Sequence, residues 1–201
     1  MARSNATVRQ TWTAIRALLV FTVVLGLGYP LVVLGIGQLA LPAQANGSLV
    51  RVDGEVVGSS LLGQSFADAD GTPLPEWFQS RPSSSGYAGE ASVASNYGPE
   101  NEDLIAFVEA QRAAIAEFEG IDPAEVPVDA VTTSGSSLDP HVSPAYALLQ
   151  VARVAEARGL DESEVRNLVE AHIQGRDLGY LGEPTVNVLE LNVALAELGA
   201  D

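Results

Sequence analysis

The chain has 201 residues and no cysteine, which excludes disulfides, thiolate metal sites and cysteine catalysis. All ten basic residues are arginine, and from residue 48 onward seven arginines stand against 26 acidic residues, a net charge of −19. A surface this negative repels nucleic acid and so excludes that class of partner, although the same acidity also serves solubility.

The first predicted element is an apolar helix over residues 17–40, preceded by Arg3, Arg9 and Arg16. Its 24 residues carry no charge, and about 20 apolar residues are enough to cross the bilayer core. The alternative is a cleaved signal peptide, supported by the A-x-A pattern at 43–45. Because signal peptides have apolar regions of roughly 7–15 residues, we predict a retained transmembrane helix.

The arginines also predict the orientation of this helix. Because positive residues concentrate on the cytoplasmic side of a membrane, residues 1–16 are expected in the cytoplasm and residues 41–201 outside it. Within the helix, Gly28 and Gly35 lie seven residues apart and share a face on which another helix can pack closely. Pro30 removes one intrahelical hydrogen bond and is expected to kink the helix.

Beyond the helix, the pattern predicts a small sheet followed by a long loop. An Asp-Gly pair is typical of a tight turn between two short strands, residues 49–52 and 55–57. Residues 61–66 are expected to extend this sheet. Residues 67–99 are rich in Gly, Pro and Ser and are predicted to be irregular, and a loop of this length in a compact domain is usually functional or mobile.

The remainder of the chain shows helical and strand patterns. A helix is predicted over residues 101–118, and β-branched residues predict a strand over 126–133. Further helices are indicated by caps expected at Ser143, Asp161 and Asn187, and by a terminating Gly159. The sequence therefore predicts one N-terminal transmembrane helix followed by a single extracytoplasmic α+β domain with a small sheet and about four helices.

Residues capable of catalysis are few. The two histidines, His141 and His172, lack the paired spacing of a metal site, and no phosphate-binding loop with lysine is present. The segment 139–141 places an acid beside a base, but such a segment is more often a rigid turn in which Asp139 bonds backbone amides. The residues favour an anchored interaction domain. Two alternatives stay open: a binding module secreted after signal cleavage, and an anchored hydrolase that uses Asp139 and His141.

Short motifs in a fixed order carry the identification further. They include WFQSRPS at 77–83, TSGSSLDPHVSP at 133–144 and LGEPTVNVLELN at 181–192. Other matching runs are residues 29–31, 44–49, 58–66, 94–99, 126–129 and 150–155. By the number, order and spacing of these runs, the chain resembles the C subunit of the Kdp potassium-transporting ATPase over nearly its whole length.

The resemblance implies a complex in the bacterial plasma membrane. Its other members are a channel-like potassium-selective subunit, a P-type ATPase subunit and a small helical subunit. The resemblance also implies that this chain is not an enzyme on its own. It is expected to support assembly and to act as a catalytic chaperone for the ATP-hydrolysing subunit, while ATP and potassium are handled by the complex and no cofactor is bound directly.

Particular residues are implied as well. The residue that the family uses for nucleotide corresponds to Gln150, although the alternative, a helix residue that bonds neighbouring loops, is the one that the sequence favours. Asp139, Asn187 and Asn192 lie in matching runs and, with the two glycines and the proline of the membrane helix, are candidates for structural or partner contacts. The family often has arginine where Thr185 stands here. A domain outside the cytoplasm cannot touch cytoplasmic ATP, so any effect on nucleotide affinity is expected to pass through the complex.

Overall fold

The structure is a computed structural model that describes residues 2–199, with side chains described from residue 6 onward. It divides into two compact units, one that ends at Ser48 and one that begins at Leu49. The side chain of Arg3 lies outside the described part of the chain.

The first unit is a long helix followed by a short one. Helix α1 spans Ala2–Phe21, a π-helical segment spans Thr22–Gly28, α2 spans Tyr29–Ala40, and the short α3 spans Pro42–Ala45. The stretch Ala6–Ala40 is long and apolar enough to cross a membrane, and its most apolar part is not buried within the structure. This confirms the prediction of one long apolar N-terminal helix, which begins well before the charge-free segment.

The π-helical segment ends at Gly28, two residues before Pro30. A proline cannot donate a hydrogen bond to the carbonyl four residues earlier, and its ring crowds that carbonyl. A wider turn relieves this crowding, and the Tyr29 N–H bonds the carbonyl of Val24, five residues earlier. The irregularity that the sequence predicts at Pro30 therefore lies in the turns before it, as a local change of helical pitch.

The second unit begins with an antiparallel hairpin. Strand β1, Leu49–Val52, pairs with β2, Glu55–Ser59. Asp53 and Gly54, in the turn between them, both have positive φ, at 51° and 85°. This confirms the tight Asp-Gly turn that the sequence predicts.

Residues 61–66 do not extend this sheet, and that prediction is wrong. They form a turn and an irregular segment. The Gly63 N–H donates to the Leu138 carbonyl at 2.8 Å. A Cβ on Gly63 would lie 2.4 Å from the Tyr87 ring and 2.7 Å from the Asp139 carbonyl. The segment therefore uses its backbone to approach residues 138–139 closely, where no side chain fits, and not to pair with β2.

A second antiparallel sheet was not predicted. It has three strands in the order β3–β5–β4. The strands are β3 His141–Val142, β4 Ile173–Gln174 and β5 Thr185–Asn187. Strands of two or three residues are too short to show the alternation of apolar and polar residues by which a strand is detected in a sequence.

The strand expected over residues 126–133 is also wrong. Residues Val128–Val131 form a 3-10 helix, and Val131 is buried. The Asp129 carboxylate accepts hydrogen bonds from the backbone N–H and the hydroxyl of Ser143, at 2.7 and 2.8 Å. The β-branched residues of this segment therefore reflect burial of a single turn and not an extended strand.

Five helices occupy the described part of the second unit, together with a 3-10 turn at Pro123–Glu125, and the number roughly fits the expectation. They are α4 Glu102–Glu119, α5 Pro144–Leu149, α6 Val151–Arg158, α7 Glu162–Ala171 and α8 Val188–Leu198. The helix expected between Ser143 and Gly159 is divided at Gln150 into α5 and α6. With its two small sheets, the unit is α+β, as predicted.

The predicted caps are present. Ser143, Asp161 and Asn187 each accept a hydrogen bond from a backbone N–H in the first turn of the following helix. Gly159 ends α6 with φ at 67°, the left-handed conformation that glycine adopts without strain. These helix ends are local features, and for that reason the sequence predicts them well.

The buried core of the described chain belongs entirely to the second unit. Helices α6, α7 and α8 supply a large part of it, including Val151, Val154, Val165, Val169, Leu191 and Leu195. Phe78, which comes from the long loop, is only 1% exposed and packs into the same core. The 67–99 loop is therefore irregular, as predicted, but its centre is packed onto the helices.

Candidate functional site

Two buried carboxamides hold the centre of the 67–99 loop. Asn192, on α8, accepts from the Phe78 N–H and donates to the Phe78 carbonyl, both at 2.9 Å. Gln150 accepts from the Gln79 N–H at 2.6 Å and donates to the Gln79 carbonyl at 3.2 Å. Gln150 is 0% exposed and Asn192 is 2% exposed. Each member of this amide pair, Gln150 and Asn192, bonds both backbone groups of one loop residue, as a neighbouring β-strand would.

The junction of α5 and α6 positions Gln150. Its backbone angles are φ −80° and ψ −9°, close to helical. Its carbonyl accepts from the Val154 N–H at 3.1 Å, in the helical pattern. The residue therefore continues the helical bonding toward α6 while its side chain is directed at the loop.

Arg153 connects the amide pair to a buried carboxylate. Its Nη2 donates to Gln150 Oε1 at 2.8 Å, and its Nη1 donates to the Trp77 carbonyl at 3.1 Å. Its Nε lies 3.0 Å from both carboxylate oxygens of Glu119, and these two side chains are only 8% and 1% exposed. Burial raises the pKa of Glu119, while the charge and hydrogen bonds of Arg153 act in the opposite direction. A buried pair of this kind stabilises the fold only while both partners are present.

Arg158 contacts Glu76 and Trp77, the two loop residues that precede those bonded by the amide pair. Its Nε donates to the Glu76 carbonyl at 2.7 Å. Its guanidinium carbon lies 4.2 Å from the centre of the Trp77 ring, within the range of a cation–π contact. Both arginines of α6 are therefore engaged with the loop.

Asp139 links the loop to the start of β3. Its Oδ2 accepts from Arg81 Nη1 at 3.0 Å, and its Oδ1 accepts from the His141 N–H at 3.0 Å. Burial raises the pKa of Asp139, but the hydrogen bonds from His141 and the positive charge of Arg81 outweigh it, so the pKa lies below its ordinary value. The Asp139 side chain therefore bonds the backbone at the start of β3 and forms an ion pair with the loop.

The same segment also brings an acid and a base together, as the hydrolase alternative requires. His141 Nδ1 lies 3.3 Å from Asp139 Oδ1. Arg81 occupies the other carboxylate oxygen, so both oxygens of Asp139 already accept hydrogen bonds that hold the fold. The arrangement suits a structural role better than proton transfer. Among residues 2–199, no group of three or more His, Asp and Glu side chains is placed to hold a metal ion.

A cavity of about 270 Å³ lies between the loop and α4. Its walls are mainly apolar, and Arg81, Tyr87 and Tyr146 supply polar groups. The Tyr87 hydroxyl donates to the Arg81 carbonyl at 2.6 Å, and burial raises the pKa of Tyr87 to about 12. Tyr87 therefore stays protonated at neutral pH and holds the loop through its hydroxyl group.

Asn187 also connects two parts of the second unit through its side chain. Its Oδ1 accepts from the Glu190 N–H at 3.2 Å and so caps α8, while its Nδ2 donates to the Ser60 carbonyl at 2.9 Å. One buried carboxamide thus joins the helix to the segment after β2. Like the amide pair, Asn187 uses both ends of its amide group on the backbone.

The other predicted residues lie on the long helix of the first unit. Gly28, Pro30 and Gly35 are exposed there. A Cβ on Gly35 would have no neighbour within 4 Å, and one on Gly28 would meet the Val23 carbonyl at an ordinary 3.5 Å. Within the first unit, this helix face is open and free of crowding.

Three arginines that complete the network around the loop were not predicted from the sequence: Arg81, Arg153 and Arg158. A signal for two of them was present, because Arg81 and Arg153 lie in the matching runs 77–83 and 150–155. From residue 48 onward the chain has only seven arginines against 26 acidic residues. In such a chain, an arginine next to apolar residues is a candidate for a specific internal contact.

The chain matches a known protein family over most of its length. The family model described as KdpC, K+-transporting ATPase, c chain, covers residues 11–197. A potassium-transporting ATPase KdpC subunit from Kineococcus radiotolerans is 56% identical over 189 residues, which are 93% of each chain. The KdpC subunits of Sorangium cellulosum and Caulobacter vibrioides are each 54% identical, over 90% and 87% of this chain and 94% and 86% of their own.

Proposed function

Because the chain belongs to the KdpC family, the c chain of K+-transporting ATPases, we propose that it supports assembly of the pump and acts as a catalytic chaperone for the ATP-hydrolysing subunit. It is an accessory subunit of that complex and not the catalytic one. The family match over residues 11–197 is the main support for the proposal, because the matched range includes most of the long helix and the whole 67–99 loop. Fully bonded buried polar networks make a surface rigid, which suits a subunit that works by contact.

The proposed partners are a channel-like potassium-selective subunit, a P-type ATPase subunit and a small helical subunit. In this proposal those subunits handle ATP and potassium. The second unit, at a net charge of −19 from residue 48 onward, attracts cations nonspecifically and repels nucleic acid. Membrane lipid surrounds whatever part of the long helix its partners leave uncovered.

Asp139→Ala is expected to lower the yield of assembled complex while leaving ATP turnover per complex nearly unchanged. The change removes the ion pair to Arg81 and an acceptor for the His141 N–H, at a cost of about 1–3 kcal/mol. Yield is measured by purification through a tag on this chain, and turnover by phosphate release. Asp70→Ala, which removes an exposed carboxylate, is the control and should change neither. Normal assembly with abolished turnover would contradict an accessory role and point to direct catalysis.

The proposed orientation puts residues 1–16 in the cytoplasm and residues 41–201 outside it. Three arginines precede the charge-free segment, and only Arg51 follows it closely, among acidic residues. Positive residues near a membrane helix favour the cytoplasmic side.

This orientation predicts the behaviour of a reporter fused after the last residue. A reporter enzyme that folds only outside the cytoplasm should be active there, and one that works only inside should be inactive. Replacing the three N-terminal arginines with glutamine should weaken the preference, because it removes the charge difference across the helix. An active cytoplasmic reporter on the unmodified chain would show that the orientation is reversed.

An indirect effect on ATP follows from this orientation. A domain outside the cytoplasm changes nucleotide affinity only by contacting the complex differently in its conformational states. The bonds of Gln150 support this view, because its side-chain oxygen and nitrogen are both taken by the loop and by Arg153. We therefore assign Gln150 a structural role in place of nucleotide contact.

A further inference from the structure

One face of α1 carries two arginines and a tryptophan. Arg9 and Arg16 are seven residues apart, which places them on the same side of the helix and about 10 Å apart along its axis. Trp12 lies between them and is 57% exposed, and the Arg16 guanidinium carbon is 5.8 Å from the centre of its ring. No acidic residue precedes Asp53. The face is therefore cationic and aromatic, with no carboxylate near it in the chain.

The length of the apolar segment places this face at a particular depth. The 24 charge-free residues 17–40 would span about 36 Å as a helix, against a hydrocarbon core of about 30 Å. Arg16 comes immediately before that segment, and headgroups add about 5–7 Å on each side of the core. Because α1 runs without a break from Ala2 to Phe21, Trp12 and Arg9 lie about 6 and 10 Å further out along the helix axis than Arg16. Trp12 is therefore at the outer edge of the headgroup layer, and Arg9 lies beyond it and reaches back to the phosphates through its long side chain.

We propose that Arg9, Trp12 and Arg16 form a binding site for the headgroups of anionic phospholipids. Guanidinium groups bond phosphate oxygens in a bidentate manner, and tryptophan favours the membrane interface, where its ring is apolar and its N–H is polar. Two arginines along one face can hold one headgroup or two neighbouring ones. The inference rests on the proposed membrane insertion of the helix, but not on its orientation or on the assembly role.

Trp12 itself reports on the lipids around it. The full chain is reconstituted into bilayers of phosphatidylcholine and phosphatidylglycerol, with bromine high in the acyl chains of one lipid or the other. Bromine quenches tryptophan at short range. The emission of Trp12 is the difference between the unmodified chain and a Trp12→Phe variant, since Trp77 is the only other tryptophan. The quenching of Trp12 by brominated phosphatidylglycerol should correspond to a local fraction of that lipid about fivefold above its fraction in the whole bilayer.

Variants test whether charge causes the enrichment. The double change Arg9→Gln with Arg16→Gln should reduce it to about onefold, and the matching double change to lysine should keep the part that charge provides and lose the part that bidentate bonding provides. Arg166→Gln, which removes one charge from an exposed position of the second unit, should leave it unchanged. In 1 M salt, where screening acts over about 3 Å, the enrichment should fall.

Two results would overturn the inference alone: equal quenching by both brominated lipids, or an enrichment that survives the glutamine double variant. If the unmodified chain does not enter phosphatidylcholine bilayers at all, the proposed membrane anchor is overturned together with this inference. A chain that enters the bilayer and shows no preference leaves the anchor intact.

Discussion

Gly28→Leu and Gly35→Leu are each expected to reduce the recovery of the other pump subunits about tenfold when the complex is purified through a tag on this chain. Small residues let helix backbones approach closely in a membrane, where packing provides most of the attraction. A leucine on such a face separates the backbones, and a loss of about 1.4 kcal/mol already weakens association tenfold.

The structure indicates that these changes leave the first unit itself undisturbed. A Cβ at Gly35 meets nothing within 4 Å, and one at Gly28 meets only the Val23 carbonyl, at 3.5 Å. Leucine also favours a helix more than glycine does. A loss of partner subunits in these variants would therefore report on a contact with another helix and not on a damaged helix.

Val33→Phe is the matched control. Val33 is 50% exposed and lies two residues from Gly35, about 200° around the helix, so it is on the opposite face. Added bulk there should have little effect on recovery. If all three variants behave alike, the glycine face has no special role in assembly.

Features set by neighbouring residues are predicted well from this sequence. The Asp-Gly turn and the caps at Ser143, Asp161 and Asn187 each depend on residues within a few positions, and the structure contains all of them. The long apolar helix is recognised by composition alone. What composition does not show is the π-helical segment Thr22–Gly28, because it results from how the helix accommodates a proline.

Features set by distant residues are predicted poorly. Val128–Val131 has strand-like composition, yet it forms a 3-10 turn because the Asp129 carboxylate bonds Ser143, fourteen residues away. The contacts of the amide pair join residues 71 and 114 positions apart. No local pattern encodes such pairs. The family resemblance identifies Gln150 and Asn192 as candidate site residues, and the structure shows which backbone groups they bond.

Gln150→Leu is expected to lower the free energy of unfolding of residues 48–201 by about 2–4 kcal/mol. The change keeps the size of the side chain but leaves the Gln79 N–H, the Gln79 carbonyl and one donor of Arg153 without a partner. Unfolding in urea, followed by circular dichroism, gives the value. Gln174→Leu, at an exposed position of β4, should cost less than about 0.5 kcal/mol. A Gln150→Leu protein as stable as the unmodified one would contradict the structural role.

Asn192→Leu separates this structural role from nucleotide contact. Asn192 makes the same two backbone bonds to Phe78 that Gln150 makes to Gln79, but the family resemblance gives it no role with nucleotide. If Gln150 acts only by holding the loop, both variants should lose similar stability, and any change in the ATP affinity of the assembled pump should appear in both. A change confined to the Gln150 variant would favour direct contact.

Residues 48–201 alone should bind ATP no more tightly than millimolar, and Gln150→Leu should leave this weak binding unchanged. ATP carries several negative charges, and this part of the chain has a net charge of −19. Screening over about 8 Å at physiological salt still permits a local basic pocket, but Arg81, Arg153 and Arg158 are already bonded to the protein. Calorimetry at low and physiological salt measures the affinity. A saturable micromolar site that Gln150→Leu abolishes and Asn192→Leu preserves would refute the structural assignment and, because ATP is cytoplasmic, would also reverse the proposed orientation.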